Sequence, residues 1–508
     1  MLKAINNFIA DFKTDLISRA SAIKNDTSAR RIFVRNSAFF IMISALLLCA
    51  VTLTCAPTEG AVNAFMSIVV PIFMCVAGII VYCEFFKSNS YFTMLLLFLL
   101  ILGAALQTVL KFEDVAHEEI ANVNVTELCL FLAVSLVVAL VAVPVLSFLC
   151  QEKPNRYVYL TLFGSVAMYL LLIALGTRVN GTLAWINIAG ISIQITEITR
   201  FLGILSLVAM FTSNVNPIKK LVGTAMVLLI HAAFLMFCNE LGTLMVLAAV
   251  YFVLALIRLP KAEIKKLVAA MLVCAMLGLA VLVACGTCYN TVYGGETTQE
   301  EKTEEDATIE QATTEQAEES KKTLTLKELE EKHGKYTVLF ANLYAKVYNR
   351  IQGWLHPEQF DPYGMGYQAN QAQNALAVSG ALGSEFQQHI PVKESDFIFI
   401  VLVQRQGVII AALVVLAFVG AYLIASPKIL KNKYGSEGVT AFALLTSMTI
   451  QSFINIGMVL NLLPIVGLPL PFLSNGGSSM VLNVTTMLFA IYSMRDTNKE
   501  VQKNEKRI

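Results

Sequence analysis

Apolar residues in this chain fall into long uninterrupted runs, separated by short polar breaks, instead of the alternating or one-faced patterns of a water-facing fold. A window of about 20 residues, the length of helix that crosses a hydrocarbon core, predicts about twelve membrane-spanning helices. These lie near 37–55, 62–84, 92–110, 127–149, 157–176, 197–213, 221–237, 241–258, 267–287, 395–425, 438–462 and 477–494. One connection is much longer than the rest, a large loop over 288–394 ahead of the last three spans. The fold class predicted is all-α, a polytopic membrane protein.

The long loop holds two patterns. Glu, Thr, Gln and Ala dominate 294–332, a composition with too little apolar surface to offset ordering entropy, so a disordered acidic insert is expected. Tyr336, Leu339, Phe340, Leu343, Tyr344, Val347, Tyr348 and Ile351 then recur at helical spacing and Trp354 follows. An amphipathic interfacial helix is predicted over 336–354.

Composition removes a soluble reading: 56% of residues are hydrophobic, 14% are charged, and mean hydropathy is +0.67. The net charge of +1 conceals a segregation. Arg30, Arg31, Arg35, Lys87, Arg156, Lys219, Lys220, Lys261, Lys265, Lys266, Lys428, Lys431 and Lys433 mark one set of connections, and Arg495 begins a basic end. Glu59, the run Glu113 to Glu119, Glu240 and the long loop mark the opposite set. By the positive-inside rule both termini are expected in the cytoplasm and 288–394 outside. Charge used in this way reports topology, and no nucleic-acid partner is expected. The polar segment 1–36 reads as cytoplasmic, with the first apolar run acting as a signal anchor and no cleaved leader. Residues 495–508 read as a cytoplasmic tail.

Most of the ten cysteines lie in apolar runs, where they behave as small buried hydrophobes. Cys285-Gly-Thr-Cys288 has CxxC spacing but no thioredoxin-like context, and the five histidines show no ligand spacing, so neither redox chemistry nor zinc is expected.

The segment Gly467-Leu-Pro-Leu-Pro-Phe-Leu-Ser-Asn-Gly-Gly-Ser-Ser479 sits between two apolar runs. Irregular backbone is tolerated at membrane depth only where protein or a water-lined cavity satisfies it, so this loop is expected to line a site. Ionisable residues near the bilayer are costly and rare, which makes Glu197, Glu240 and Asp396 candidates for function. Asp396 follows Ser395 at the start of a long apolar run. Position alone allows a helix-capping carboxylate or a general base there. Arg350, Lys393 and Arg178 are candidate cations for an anionic leaving group, and each is also suited to anchoring at the interface. The Ser474, Gly476, Gly477, Ser478, Ser479 set offers hydroxyl and backbone donors, or close helix packing at the glycines.

With Gln451, Asn455 and Gly457 upstream, the 467–479 loop closely resembles the C-terminal signature of the SEDS (RodA/FtsW/SpoVE) family of polytopic glycosyltransferases. Ser395-Asp-Phe-Ile-Phe399, Asp361-Pro-Tyr-Gly-Met-Gly-Tyr-Gln368 and Arg350-Ile351 resemble that family's external loop, in order and spacing. Gly181 to Glu197, with Trp185, resembles its Gly-x-x-x-Trp-Ile to Gln-Pro-Ser-Glu segment, and Glu240-Leu-Gly-Thr243 its Asp-Leu-Gly-Thr. Departures are Ala184, Ile195, Glu394 and Gln404-Arg-Gln406, where the family usually has Arg, Pro, His and an acidic pair. The resemblance implies a peptidoglycan polymerase of the bacterial cytoplasmic membrane that uses lipid II, with Asp396 catalytic. It implies substrate contacts at Arg350, Lys393, Gln368, Trp185, Glu197, Glu240, Gln451, Asn455, Ser474, Gly476, Gly477, Ser478 and Ser479. A class B penicillin-binding transpeptidase is the implied partner, and a divalent cation (Mg or Mn) shared by carboxylate and pyrophosphate the one cofactor to consider. The family's ten-helix core would occupy 91–287 and 395–494 around the loop, leaving the pair within 37–90 as an N-terminal addition. A lipid-precursor flippase and a catalytically reduced scaffold stay open as alternatives.

Overall fold

A computed structural model describes residues 2–55, 59–116, 125–151, 154–179, 182–188, 191–304, 333–356, 365–384, 390, 392–432 and 435–495. The chain divides into two compact units, 1–260 with 371–508, and 261–370.

The first unit begins with α1 (Leu2–Asn25), α2 (Thr27–Cys55), α3 (Glu59–Phe85), α4 (Ser90–Ala116), α5 (Val125–Gln151) and α6 (Pro154–Leu175). A small antiparallel sheet follows, β1 (Thr177–Val179), β2 (Thr182–Ile188) and β3 (Ile191–Gln194), in the order β1-β2-β3. Next come α7 (Ile195–Thr212), α8 (Pro217–Phe237) and α9 (Leu241–Arg258). The second unit holds α10 (Lys261–Glu304) and α11 (Lys335–Leu355), and the boundary falls within α12 (Met365–Val378). Helices α13 (Ile398–Asn432), α14 (Ser436–Val459) and α15 (Gly477–Ser493) return to the first.

Eight helices among the described residues are long and apolar enough to cross a membrane: α4 to α9, α13 and α14. The four other predicted spans also fall on helices, α2, α3, α10 and α15. Burial separates their roles. Helix α14 is buried along most of its length, as is α4, whereas α5 and α6 expose Leu130, Val137, Val141, Val145, Phe163 and Leu170. Apolar faces of that extent are costly in water and well suited to lipid. The protein is therefore a polytopic, overwhelmingly α-helical membrane protein.

Besides α1 and α12, helices in stretches with no predicted element, three local features differ from the sequence expectation. Strands β1 to β3 occupy a stretch with no predicted element, because Ile186-Asn-Ile and Ile191-Ser-Ile-Gln alternate apolar and polar residues and pair Trp185 with Gln194 and Asn187 with Ser192. Its inner face joins Leu172, Ile195 and Cys238 in one apolar cluster, and the Leu183 amide donates to the Cys238 carbonyl at 3.0 Å.

Helix α13 is not the continuous helix that its apolar run suggests. It breaks at Gly407, whose φ of 81° few other residues adopt. The amides of Val408 and Ile409, left without partners by the break, donate to the carbonyls of Gly380 and Ala381 at 3.3 Å each, while Gln404 accepts from Ser384 at 2.8 Å. A Cβ at Gly407 would lie 2.2 Å from the Ala381 oxygen. The Gln404-Arg-Gln406 departure thus coincides with a helix break sealed by the 380–384 turn.

The third difference is the length of α10, which continues to Glu304 and so extends past the start of the insert expected at 294. Its Glu- and Gln-rich end has good helix propensity, and adding residues to an existing helix avoids a new nucleation. The rest of that insert, 305–332, lies outside the described residues, as do 361–364 and 496–508. Within the second unit Val292 packs on Val338 and Ala341, and the rings of Tyr344 and Tyr348 stack at 5.7 Å. The helix predicted over 336–354 coincides with α11.

One end of the first unit is closed by charge. Arg495 donates to Glu437 at 2.8 Å and stacks over the Tyr492 ring at 3.6 Å, while Ser147 donates to the same carboxylate at 3.0 Å. Both partners are almost fully buried.

Candidate functional site

The site is built on the irregular backbone between α14 and α15, held by side chains from α14 and α4. Gln451 and Asn455 lie one turn apart on α14, both fully buried. Gln451 donates to the Pro469 carbonyl at 2.8 Å, and Asn455 donates both to Leu468 at 2.6 Å and to Asp396 at 2.8 Å, in each case to the backbone oxygen. Prolines at 469 and 471 and the left-handed Gly467 and Phe472 (φ 62° and 67°) keep this backbone from becoming helical, so its carbonyls need such donors.

Asp396 lies in the turn that leads into α13, and the backbone around it is fixed at three successive carbonyls. Glu394 accepts from the Asn475 amide at 2.8 Å, Ser395 from the Ser474 hydroxyl at 2.5 Å, and Asp396 from Asn455. A Cβ at Gly467 would stand 3.5 Å from Asp396 Oδ2, which places the loop glycine directly against the acid. Burial pushes the Asp396 carboxyl up to about 6, opposed by a hydrogen bond from Ser395.

Glu240 occupies the cap position of α9 and is 4% exposed, with the Thr243 hydroxyl donating to it at 3.3 Å. Burial, then the neighbouring charges of Glu197 and Asp396, push its carboxyl up to about 8, against the opposing hydrogen bond from Thr243. Between these two residues Gly242 is required by packing, since a Cβ there would lie 2.9 Å from the Val466 oxygen. The Glu-Leu-Gly-Thr motif therefore delivers an acid, a flush contact with the loop and a hydroxyl.

Glu197, in the first turn of α7 directly after β3, pairs with Arg200, and both are buried. Glu197 Oε1, Arg200 Nη1 and Gln451 Oε1 have no hydrogen-bond partner among the described residues. All three residues line a small cleft, with Asn483, Ser447 and Thr486. Unsatisfied buried polar atoms around open space suit water or polar groups.

The remaining expected residues are placed as follows. Trp185 is half-buried in the middle of the sheet. Ser478 accepts from the Gln194 amide at 3.3 Å, tying β3 to α15, and Ser479 accepts from Asn483 at 3.2 Å. Gly476 caps α15, and Gly477 admits the Phe131 ring, which a Cβ would meet at 2.4 Å. The serines and glycines of the loop thus hold its shape in this structure. Lys393 lies half-buried three residues before Asp396, while Arg178 is exposed on β1. Arg350 and Gln368 belong to the second unit, and the Arg350 side chain lies outside the described residues.

Two contributors, Arg200 and Gln107, are absent from the sequence expectations. Arg200 follows Glu197 by three residues, a helical ion-pair spacing that could have flagged it. Gln107 sits inside an apolar run, where its rarity was the available sign.

Fold and site together define a multi-pass membrane protein with a cluster of buried acids at a non-helical loop. Residues 88–293 and 334–499 match the sequence model of the FtsW/RodA/SpoVE family, described as cell cycle protein, and the chain belongs to that family. It is 27% identical over 341 residues to the probable peptidoglycan glycosyltransferase FtsW of Enterococcus hirae, which covers 65% of this chain and 72% of that protein. With stage V sporulation protein E of Bacillus subtilis strain 168 it shares 36% identity over 151 residues, 28% of this chain and 39% of the relative. A solved chain from a peptidoglycan synthase complex that coordinates polymerization and crosslinking has the same fold, with TM-score 0.54 and 18% identity over 81% of this chain and 99% of that one. The family match begins after α3 and omits 294–333.

Proposed function

We propose that this protein is a peptidoglycan glycosyltransferase that joins lipid II disaccharides into glycan strands at the outer face of the bacterial cytoplasmic membrane. The observation that carries the reading is Asp396: a half-buried carboxylate, immobilised through three consecutive carbonyls, with its proton affinity raised toward neutrality. A general base works best when its pKa lies near the working pH. Asp396 takes the proton from an acceptor sugar hydroxyl as that oxygen attacks the anomeric carbon of the donor, and the lipid pyrophosphate departs with the bonding electrons. Lys393, three residues before Asp396, is the cation suited to the departing charge. Family membership supports the reaction class, and a relative's naming as a probable peptidoglycan glycosyltransferase supports the substrate.

A divalent cation fits this site only in part. Among the described residues no group of three or more His, Cys, Asp or Glu side chains converges, so Mg or Mn would draw most of its ligands from the pyrophosphate, and no step above depends on it. The partner we propose is a class B penicillin-binding transpeptidase, supported by the fold shared with a chain of a polymerizing and crosslinking complex. Segregation of Lys and Arg supports cytoplasmic termini. Full-length protein reconstituted with lipid II, alone and with the transpeptidase, tests the proposal. Glycan polymer is the expected product. Translocation of lipid II without polymer would indicate a flippase, and neither activity would indicate a scaffold.

A further inference from the structure

Helix α4 supplies a contact that neither the apolar pattern nor the signature residues indicate. Gln107 is 2% exposed, and its Nε2 donates both hydrogens, one to the Glu394 carbonyl at 2.7 Å and one to the Leu473 carbonyl at 2.9 Å. The two acceptors lie on different segments. Glu394 precedes Asp396 by two residues, and Leu473 belongs to the loop whose next residues, Ser474 and Asn475, bind the Ser395 and Glu394 carbonyls. One amide group therefore ties together the two strands of backbone that set the position of the acid.

The neighbouring turn of α4 is shaped for the same contact. A Cβ at Gly103, four residues before Gln107, would stand 2.1 Å from the Phe472 oxygen and 2.7 Å from the Leu473 Cα. Only glycine lets the helix lie flush on the loop there, and Phe472 is in the left-handed region at φ 67°. A primary amide inside an apolar helix is costly unless its donors are used. Both are used, and both on this site.

We propose that Gln107 is a positioning residue for the transfer reaction, acting through the backbone of Asp396 and the 472–475 loop rather than on substrate, so that α4 is part of the catalytic framework. This rests on the glycosyltransferase reading for its kinetic consequence but not for its structural one. Gln107→Met keeps the side-chain length and removes both donors, and Gln107→Asn keeps the amide on a shorter arm. The full chain is reconstituted with lipid II, and initial rates are measured alongside hydrogen exchange of peptides spanning 392–397 and 470–476.

Displacement of a catalytic group by an ångström costs about a hundredfold in rate. For Gln107→Met we expect kcat to fall by about tenfold to a hundredfold, with KM nearly constant, and faster exchange in both peptides. Gln107→Asn should fall between that variant and wild type in both readouts. Wild-type exchange and wild-type kcat in a folded Gln107→Met would overturn the proposal, as would a change confined to KM. Should Gln107→Met not fold, Gln107→Asn decides by the same two criteria. If the wild-type protein makes no polymer, the glycosyltransferase reading fails, and exchange alone then decides whether Gln107 couples the two segments.

Discussion

Replacing Asp396 by Asn tests catalysis and stability together, because the structure gives them opposite signs. The amide preserves shape and removes the proton acceptor, so polymerisation should fall by about 100- to 10,000-fold, the range a positioned general base contributes. Burial raises the Asp396 carboxyl from 3.8 to about 6. The folded protein therefore holds its proton more tightly than the unfolded chain does, and ionising the group near pH 7 works against folding. At about 1.4 kcal/mol per factor of ten, the cost is on the order of 3 kcal/mol, an upper value because a half-buried carboxylate keeps some water contact. The sign follows directly. Below 3.8 both states are protonated and the two proteins should be equally stable; the variant should gain as pH rises through 3.8 to 6, and the gain should be complete above 6. Thermal melting of the purified protein in detergent from pH 4 to 8, with lipid II polymerisation on the same samples, measures both quantities. Wild-type polymerisation also should rise with pH through about 6 and level off. A variant that polymerised near the wild-type rate would leave Asp396 as no more than a capping residue. One that melted lower at pH 7 would show the carboxylate to be stabilising, contrary to the argument.

Glu240 retains its proton up to about pH 8, so Glu240→Gln should change the rate at pH 7 by less than about threefold; above pH 8 the wild type should lose activity as a new charge forms beside Glu197 and Asp396, and the variant should not, as a pH-rate profile would show. Glu437→Gln leaves Arg495 buried without its partner and should cost about 3 to 5 kcal/mol, while adding Arg495→Gln should recover most of it in the same melting assay. Deleting 305–332 should leave membrane level and polymer yield near wild type on blots and in the lipid II assay, since an aromatic-poor acidic segment adds few packing contacts and closing its ends costs little entropy.

The sequence by itself determined the membrane class, the positions of its helices and the acids that matter. Hydrophobic length fixes spans because backbone groups in lipid must be satisfied within each segment, and Pro469, Pro471, Gly476 and Gly477 mark where that rule is broken. Costly ionisable residues at apolar borders pointed to Glu197, Glu240 and Asp396, which the fold brings to neighbouring elements. Tertiary structure alone decided the rest. Helix α13 breaks at Gly407 because the 380–384 turn is there to accept and donate its stranded hydrogen bonds, an arrangement between residues 20 to 28 positions apart. The loop serines hold backbone because Ser395 and Gln194 are within reach of Ser474 and Ser478. Gln107 reads as one polar residue in an apolar run until Glu394 and Leu473, nearly three hundred residues or more away, are placed beside it. Local periodicity records which face of a helix is apolar; which distant carbonyl an isolated amide meets is settled only when the helices pack.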